Sequence, residues 1–300
     1  GVTTAGITTV FATSIAGVST AGITTAYIGA INDGAISGAR NRIINGGMDI
    51  WQRGTSSTAT GNTYLADRWV HAFPTGGTGI QTTTAPTGSR YAWNYTASAT
   101  NAYMQMGQQI EYQNCLDLQG QTVTISFYAK ANNTNAGSTG LTVRTRTGSS
   151  IDSAIYFSAT NVDTVVTLTT SYAKYSVTRT LPASFGALSL EFVLGSHVSG
   201  DGFSISQIQL EVGTVATPFE RRSYGQELAL CQRYYAKSYK QSVVPGANDG
   251  DGCSVFYSHT SGTYTINGNI IFPVEMRAEP TVSIWSNTGT SGQFTASDSI

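Results

Sequence analysis

Tyr91, Trp93 and Tyr95 alternate along one strand-like run, which puts three large rings on one sheet face. Sugar rings present apolar C–H faces that stack on aromatics, and Asn94, Gln105, Gln108 and Gln109 are suited to satisfy sugar hydroxyls. Read the other way, the same stripe faces a second sheet and fills the core. Both readings stand on sequence alone. Asp49 and Glu211 come together if the first and last strands adjoin, as hard oxygen ligands for a cation or as a solvated strand end. Asp67 and Arg68, beside Trp69, read as an ion pair fixing a loop, and Trp51 and Trp69 as core packing.

No catalytic set emerges from the same search. Asp152, Asp163, Glu191 and Asp201 fall on separate strands or turns, and nothing in the sequence pairs two of them as glycoside hydrolysis requires. Gly-x-Ser-x-Gly, His-Glu-x-x-His and phosphate-cradling loops are absent. His71, His197 and His259 stand far apart. Cys115, Cys231 and Cys253 are odd in number and widely spaced, so neither a metal site nor a disulfide framework is expected. Asp249-Gly250-Asp251-Gly252 lacks the alternating ligands and terminal Glu of a calcium loop and reads as a turn. The expectation is no catalytic residue, no resident metal and no cofactor.

Composition narrows the partners. Charged residues make up 11% of the 300, against about 25% in an average soluble protein. With a net charge of −1, no broad attraction to nucleic acid or an anionic membrane surface is expected. Arg144 and Arg146 share the polar side of one strand and read as a solvated face rather than a nucleic-acid patch. No apolar run reaches the roughly 18 residues of a spanning helix, so membrane insertion is not expected. The sequence begins without a methionine and stops in strand-like text, which suggests a piece of a longer polypeptide.

The elements that must position these residues fall into four stretches. In residues 1–40, Val2-Thr3-Thr4-Ala5-Gly6-Ile7-Thr8-Thr9 returns sixteen positions later as Val18-Ser19-Thr20-Ala21-Gly22-Ile23-Thr24-Thr25. A repeat this short cannot bury its own apolar side chains. Wrapped with two identical chains, Ile7, Ile15, Ile23 and Ile31 form an axial core, so a trimeric β-stalk is expected. Residues 41–220 carry alternating strands: Val123, Ile125, Phe127 and Ala129 share one face, as do Leu188, Leu190, Phe192 and Leu194. Phe203 and Ile205 are out of phase with Ile208, Leu210 and Val212, which calls for a β-bulge near Ser206-Gln207. Short strands with one apolar face over this length predict a two-sheet antiparallel sandwich. Residues 221–242 hold a linking helix over Ser223 to Lys240, with Ser223 as N-cap and Gln226 three residues on. Residues 243–300 predict the start of a second β module, with strands at Ser254–Tyr257, Tyr264–Phe272 and Thr281–Trp285.

Three signatures carry a resemblance: Asn45-Gly46, Leu118 to Lys130, and Phe203 to Glu211. They resemble the jelly-roll carbohydrate-binding modules of polysaccharide-degrading enzymes. The opening Asn41 to Gly54 with Ala66-Asp67-Arg68-Trp69, and the closing Leu210 to Gly213, Ala216 to Arg222 and Leu230 to Tyr235, look more like tail-fibre or appendage proteins of tailed bacteriophages, including cyanophages. The resemblance implies an all-β virion component: trimeric stalk, jelly-roll sandwich, short helix, second β module. It implies other tail proteins and a host-surface glycan as partners, with the protein extracellular when it acts. A depolymerase tailspike and a purely structural decoration protein are the alternatives. Related modules carry final-strand aspartates beside a structural calcium. This chain has Ser206 and Gln207 there, so the resemblance does not carry a calcium ion over.

Overall fold

The computed structural model describes residues 40–74, 76–100, 102–154, 160–249 and 271–293. The stalk isoleucines Ile7, Ile15, Ile23 and Ile31 lie outside the described residues, as do the strand expected at Ser254–Tyr257 and nearly all of that at Tyr264–Phe272. The strands in chain order are β1 (Ser56–Ser57), β2 (Thr63–Tyr64), β3 (Val70–Ala72), β4 (Gly77–Thr82), β5 (Ala92–Ala97) and β6 (Ala102–Ile110). Then come β7 (Thr122–Ala131), helix α1 (Thr134–Thr139), β8 (Leu141–Gly148), β9 (Thr160–Val166) and β10 (Ala173–Thr180). β11 (Ala187–His197), β12 (Gly202–Val212) and helix α2 (Tyr224–Gln232) close the order.

Two six-stranded antiparallel sheets form, ordered β1-β4-β5-β12-β7-β10 and β2-β3-β6-β11-β8-β9. From β5 onward the chain crosses between the sheets at nearly every connection, which is the jelly-roll winding. β12 and β11 occupy interior positions of their sheets, so each must present a continuous apolar row inward. Phe203, Ile205, Ile208 and Leu210 do so from β12, and Leu188, Leu190, Phe192 and Leu194 from β11, all fully buried. Val123, Ile125, Phe127 and Ala129 complete the row on β7. The phase change in β12 is resolved by a register shift between Ser206 and Gln209, where Gln207 takes φ +53°. That is a β-bulge at the expected place.

Trp93 and Tyr95 belong to this core rather than to a binding face. Both are buried, their rings 6.3 Å apart and within 8° of parallel, with Phe73 packed 4.9 Å from Tyr95. β5 lies between β4 and β12, so one of its faces must meet the opposite sheet, and the large rings fall on that side. Burial of that aromatic area outweighs any gain from leaving it exposed.

Helix α2 begins as expected, with Ser223 and Gln226 forming a reciprocal capping box. It ends at Gln232 rather than Lys240. The N–H groups of Tyr234 and Tyr235 both close on the Cys231 carbonyl oxygen, tightening the last turn, and the next residues turn toward the sandwich. The expected strand at Thr281–Trp285 is also corrected: among the described residues of 271–293 there is only a single bridge, Trp285 to Ser291. Among the described residues, the Arg277 N–H caps the Arg233 carbonyl oxygen (2.9 Å).

His71 faces inward on β3, stacked 4.5 Å from Phe73, with Nε2 3.1 Å from the Ser57 hydroxyl and Nδ1 without a partner. Burial pushes its pKa from 6.5 down to about 4. The unfolded chain takes up the proton first, so stability is full above the unfolded value and falls as pH drops from 6.5 toward about 4. The loss amounts to about 3 kcal/mol. Urea denaturation at pH 7 and 4.5 should show this component in the wild type and its absence in His71→Gln; equal pH slopes would refute it.

Candidate functional site

Asn45 organises the end of the sandwich where the chain enters and leaves. It adopts φ +56°, a conformation Asn tolerates better than most residues. Its fully buried amide donates to the carbonyl oxygens of Ile50 (2.9 Å) and Asp67 (3.0 Å) and accepts from the N–H groups of Asp49 (2.9 Å) and Ile50 (3.0 Å). Its own carbonyl oxygen takes the Trp69 indole N–H (3.1 Å), and its N–H donates to Glu227 on α2 (2.5 Å). Next to it, Gly46 lies against the bulge: an added Cβ would stand 2.0 Å from the Ile208 carbonyl oxygen. Trp51 and Trp69 pack in the core, as their place in the motifs suggests.

The closing motif is tied to the opening one. Glu220 accepts from the Asn41 N–H (2.7 Å), Arg222 donates to the Ile43 carbonyl oxygen (3.0 Å), and Arg42 N–H donates to that of Leu210 (3.0 Å). Gln52 donates to Asp67 (2.5 Å) and to the Tyr235 carbonyl oxygen (2.8 Å). The expected Asp67–Arg68 pair does not form. Asp67 pairs with Arg53 (3.0 Å), while Arg68 turns away at φ +74° and lies 3.4 Å above the Tyr234 ring. Burial raises the Asp67 carboxyl above its usual value, with Arg53 opposing.

Between these motifs opens a cleft of about 320 Å³. Tyr64, Tyr234 and Tyr235 supply its rings. The Arg53 guanidinium lies 3.6 Å from the Tyr235 ring centre and 5.1 Å from that of Tyr64. Gln109, Glu111, Asp152 and Arg277 line it as well. Burial pushes Glu111 upward, but bidentate hydrogen bonds from Arg233 (3.1 and 3.2 Å) and the nearby Arg277 outweigh it and hold the carboxyl below its usual value. Burial pushes the Tyr234 phenol up to about 12 and keeps the Cys231 thiol protonated. Rings beside planar polar groups can cover an apolar ring face and hydrogen-bond its substituents.

The residues singled out as a sugar platform are scattered. Trp93 and Tyr95 are in the core, and Tyr91 precedes β5 with Arg90 4.9 Å from its ring. Asn94 faces outward on the first sheet, donating to Asn132 (2.9 Å) and Ser204 (2.8 Å). Gln105 faces outward on the second sheet, buried against Glu191 and accepting from Tyr103 (2.6 Å). Glu191 is fully buried, with Arg146 donating at 2.8 and 3.0 Å, and Gly107 opposite leaves it room. Arg146 is therefore an interior ion-pair partner rather than part of a solvated face. Arg144 pairs with Asp163 (2.7 Å).

Asp49 and Glu211 are each engaged elsewhere: Asp49 with Arg221 (3.2 Å), Glu211 with the Thr217 hydroxyl (2.6 Å) and Gln209 (2.8 Å). At the bulge, the Ser206 hydroxyl lies within hydrogen-bond distance of the Gly47 (3.1 Å) and Tyr91 (3.0 Å) carbonyl oxygens, and Gln207 donates to that of Thr87 (2.9 Å).

No protein-family model matches the sequence, and no curated protein does. Among solved structures, the enzymatically active domain of tailspike protein 4 of bacteriophage CBA120 aligns at 14% identity and a TM-score of 0.38, over 58% of this chain and 21% of that one. The carbohydrate-binding module TmCBM61, in complex with β-1,4-galactotriose, aligns at 13% and 0.35, over 58% and 99%. A CBM22-1 xylan-binding domain from Paenibacillus barcinonensis Xyn10C aligns at 12% and 0.33, over 55% and 99%. Similarity at this level carries no argument about function.

The Asn45 amide ties the main chain of Asp67, a cleft residue, to the opening segment. Asn45→Ala removes the partners of four backbone groups at a buried site and puts a poor left-handed residue there, so thermal or urea unfolding should report a loss of about 3–5 kcal/mol. A loss under about 1 kcal/mol would show that water replaces the amide without consequence.

Proposed function

We propose that this chain is a segment of a bacteriophage tail fibre or comparable appendage, and that its sandwich binds a host-surface glycan in the cleft between the opening and closing motifs. The observation that carries this reading is the cleft itself: three tyrosines beside arginine, glutamine and carboxylate groups, with Arg53, Asp67, Arg68, Tyr234 and Tyr235 coming from the motifs that resemble tail-fibre proteins. Residues 1–40 act as the stalk, with Ile7, Ile15, Ile23 and Ile31 packed against two sister chains. The other partners are neighbouring tail proteins, and the protein stands on the virion surface. Three linked cleft copies raise avidity by about 10²–10⁴ over one where geometry permits.

Adhesion is favoured over cleavage by the state of the carboxylates. A glycosidase needs a proton donor and a free second carboxylate. Glu111 is clamped by Arg233, Asp67 by Gln52 and Arg53, and Asp152 accepts the Tyr112 N–H (2.8 Å).

Tyr64 is 37% exposed, so its removal should not perturb the core. Titrating purified host envelope polysaccharide into the full chain should show about a tenfold loss for Tyr64→Ala, about 1.4 kcal/mol, with an unchanged melting point. Trp93→Ala should instead lower stability by about 3–5 kcal/mol while its folded fraction still binds. Equal affinity of Tyr64→Ala and wild type removes the cleft from the reading. Release of reducing ends would favour the depolymerase, and no binding at all the mechanical role.

A further inference from the structure

Three arginines and three carboxylates line the cleft, and their pairing is uneven. Arg53 meets Asp67 at 3.0 Å and Arg277 meets Glu111 at 3.6 Å. Asp152 and Arg68 remain without an oppositely charged partner among the described residues. The two differ in need. Asp152 is only half-buried, and its carboxylate accepts the Tyr112 N–H. Arg68 is 7% exposed, its Nε has no partner, and the only hydrogen-bond acceptor it finds among the described residues is the Gln109 carbonyl oxygen.

Resting on the glycan-binding reading above, we propose that the cleft selects glycans bearing an anionic group, a carboxylate or a sulfate ester, and that Arg68 is the residue that holds it. A guanidinium nearly removed from water, with no anion beside it, is a costly arrangement that an incoming anion relieves. The group is also fixed in place. Stacking at 3.4 Å on Tyr234 and the bond to Gln109 hold its plane, while the backbone at φ +74° aims the side chain away from Asp67, its sequence neighbour. Stacking uses one face of the guanidinium and the Gln109 carbonyl oxygen takes one terminal N–H, which leaves the other terminal N–H groups for the oxygens of a carboxylate or sulfate. Arg53, in the same wall, is already neutralised by Asp67 and supplies stacking without spare charge.

The test is an array of bacterial surface glycans probed with the full chain, with acidic glycans printed also in carboxyl-reduced and desulfated forms. The expected result is binding confined to acidic glycans and weakened at least tenfold by one of the two treatments, which identifies the anion. Arg68→Gln should lose the same factor on the acidic form and bind the neutralised form like wild type. The comparison of native with neutralised glycans uses wild-type protein, so it stands even where Arg68→Gln folds poorly. Binding that persists on neutralised glycans and falls with Tyr64→Ala overturns the anion preference but keeps the glycan reading. An array with no bound glycan overturns both.

Discussion

A single buried amide joins the parts of this molecule that matter. Asn45 hydrogen-bonds four main-chain groups from two segments, receives the Trp69 indole, and reaches α2 through Glu227. Each contact alone contributes about 1 kcal/mol, but any one left unmade inside the protein costs more than it gave. That asymmetry makes the arrangement all-or-none. The opening segment, the Ala66–Trp69 turn and the closing helix are held in one geometry or in none, and the cleft exists only in that geometry.

How much of this was legible follows from what each sequence signal measures. Alternation gives which residues share a face, so β7, β11 and the phase break in β12 were readable, as was the Ser223 capping box. Alternation does not give which face points inward. Tyr91, Trp93 and Tyr95 were ambiguous for that reason, and the position of β5 inside its sheet decided the matter. Adjacency in sequence misled at Asp67-Arg68, because a left-handed residue sends its side chain away from its neighbour's. The cleft itself joins positions such as Arg53 and Tyr235 that are far apart in sequence, and no local pattern reports it. A signal was nevertheless present: the two end motifs are conspicuous as text and supply Arg53, Asp67, Arg68, Tyr234 and Tyr235 to the cleft, while Tyr64, Gln109, Glu111, Asp152 and Arg277 come from elsewhere in the sequence.

The low charge content takes on a different meaning once the charges are placed. Many of them are interior ties rather than surface decoration. Glu191 sits under Arg146 on the outer side of the second sheet, with burial raising its carboxyl and Arg146 opposing. Arg179 bridges the sheets at the β9–β10 side by donating to Thr145 (3.0 Å), Thr164 (3.2 Å) and the Val143 carbonyl oxygen (3.2 Å). Such groups contribute little net stability over an apolar replacement but strongly penalise any other register. In a sandwich whose outer faces are rich in serine and threonine, they supply the specificity that the surface lacks.

The chain connections complete the argument. Residues 41–43 and 220–222 are bonded to each other, so the polypeptide enters and leaves the sandwich at the same end. The cleft lies at that same end, lined by Arg53 of the opening segment and by Tyr234 and Tyr235 just beyond α2. The position of the cleft and the tying of the chain ends therefore have one physical origin in the network around Asn45.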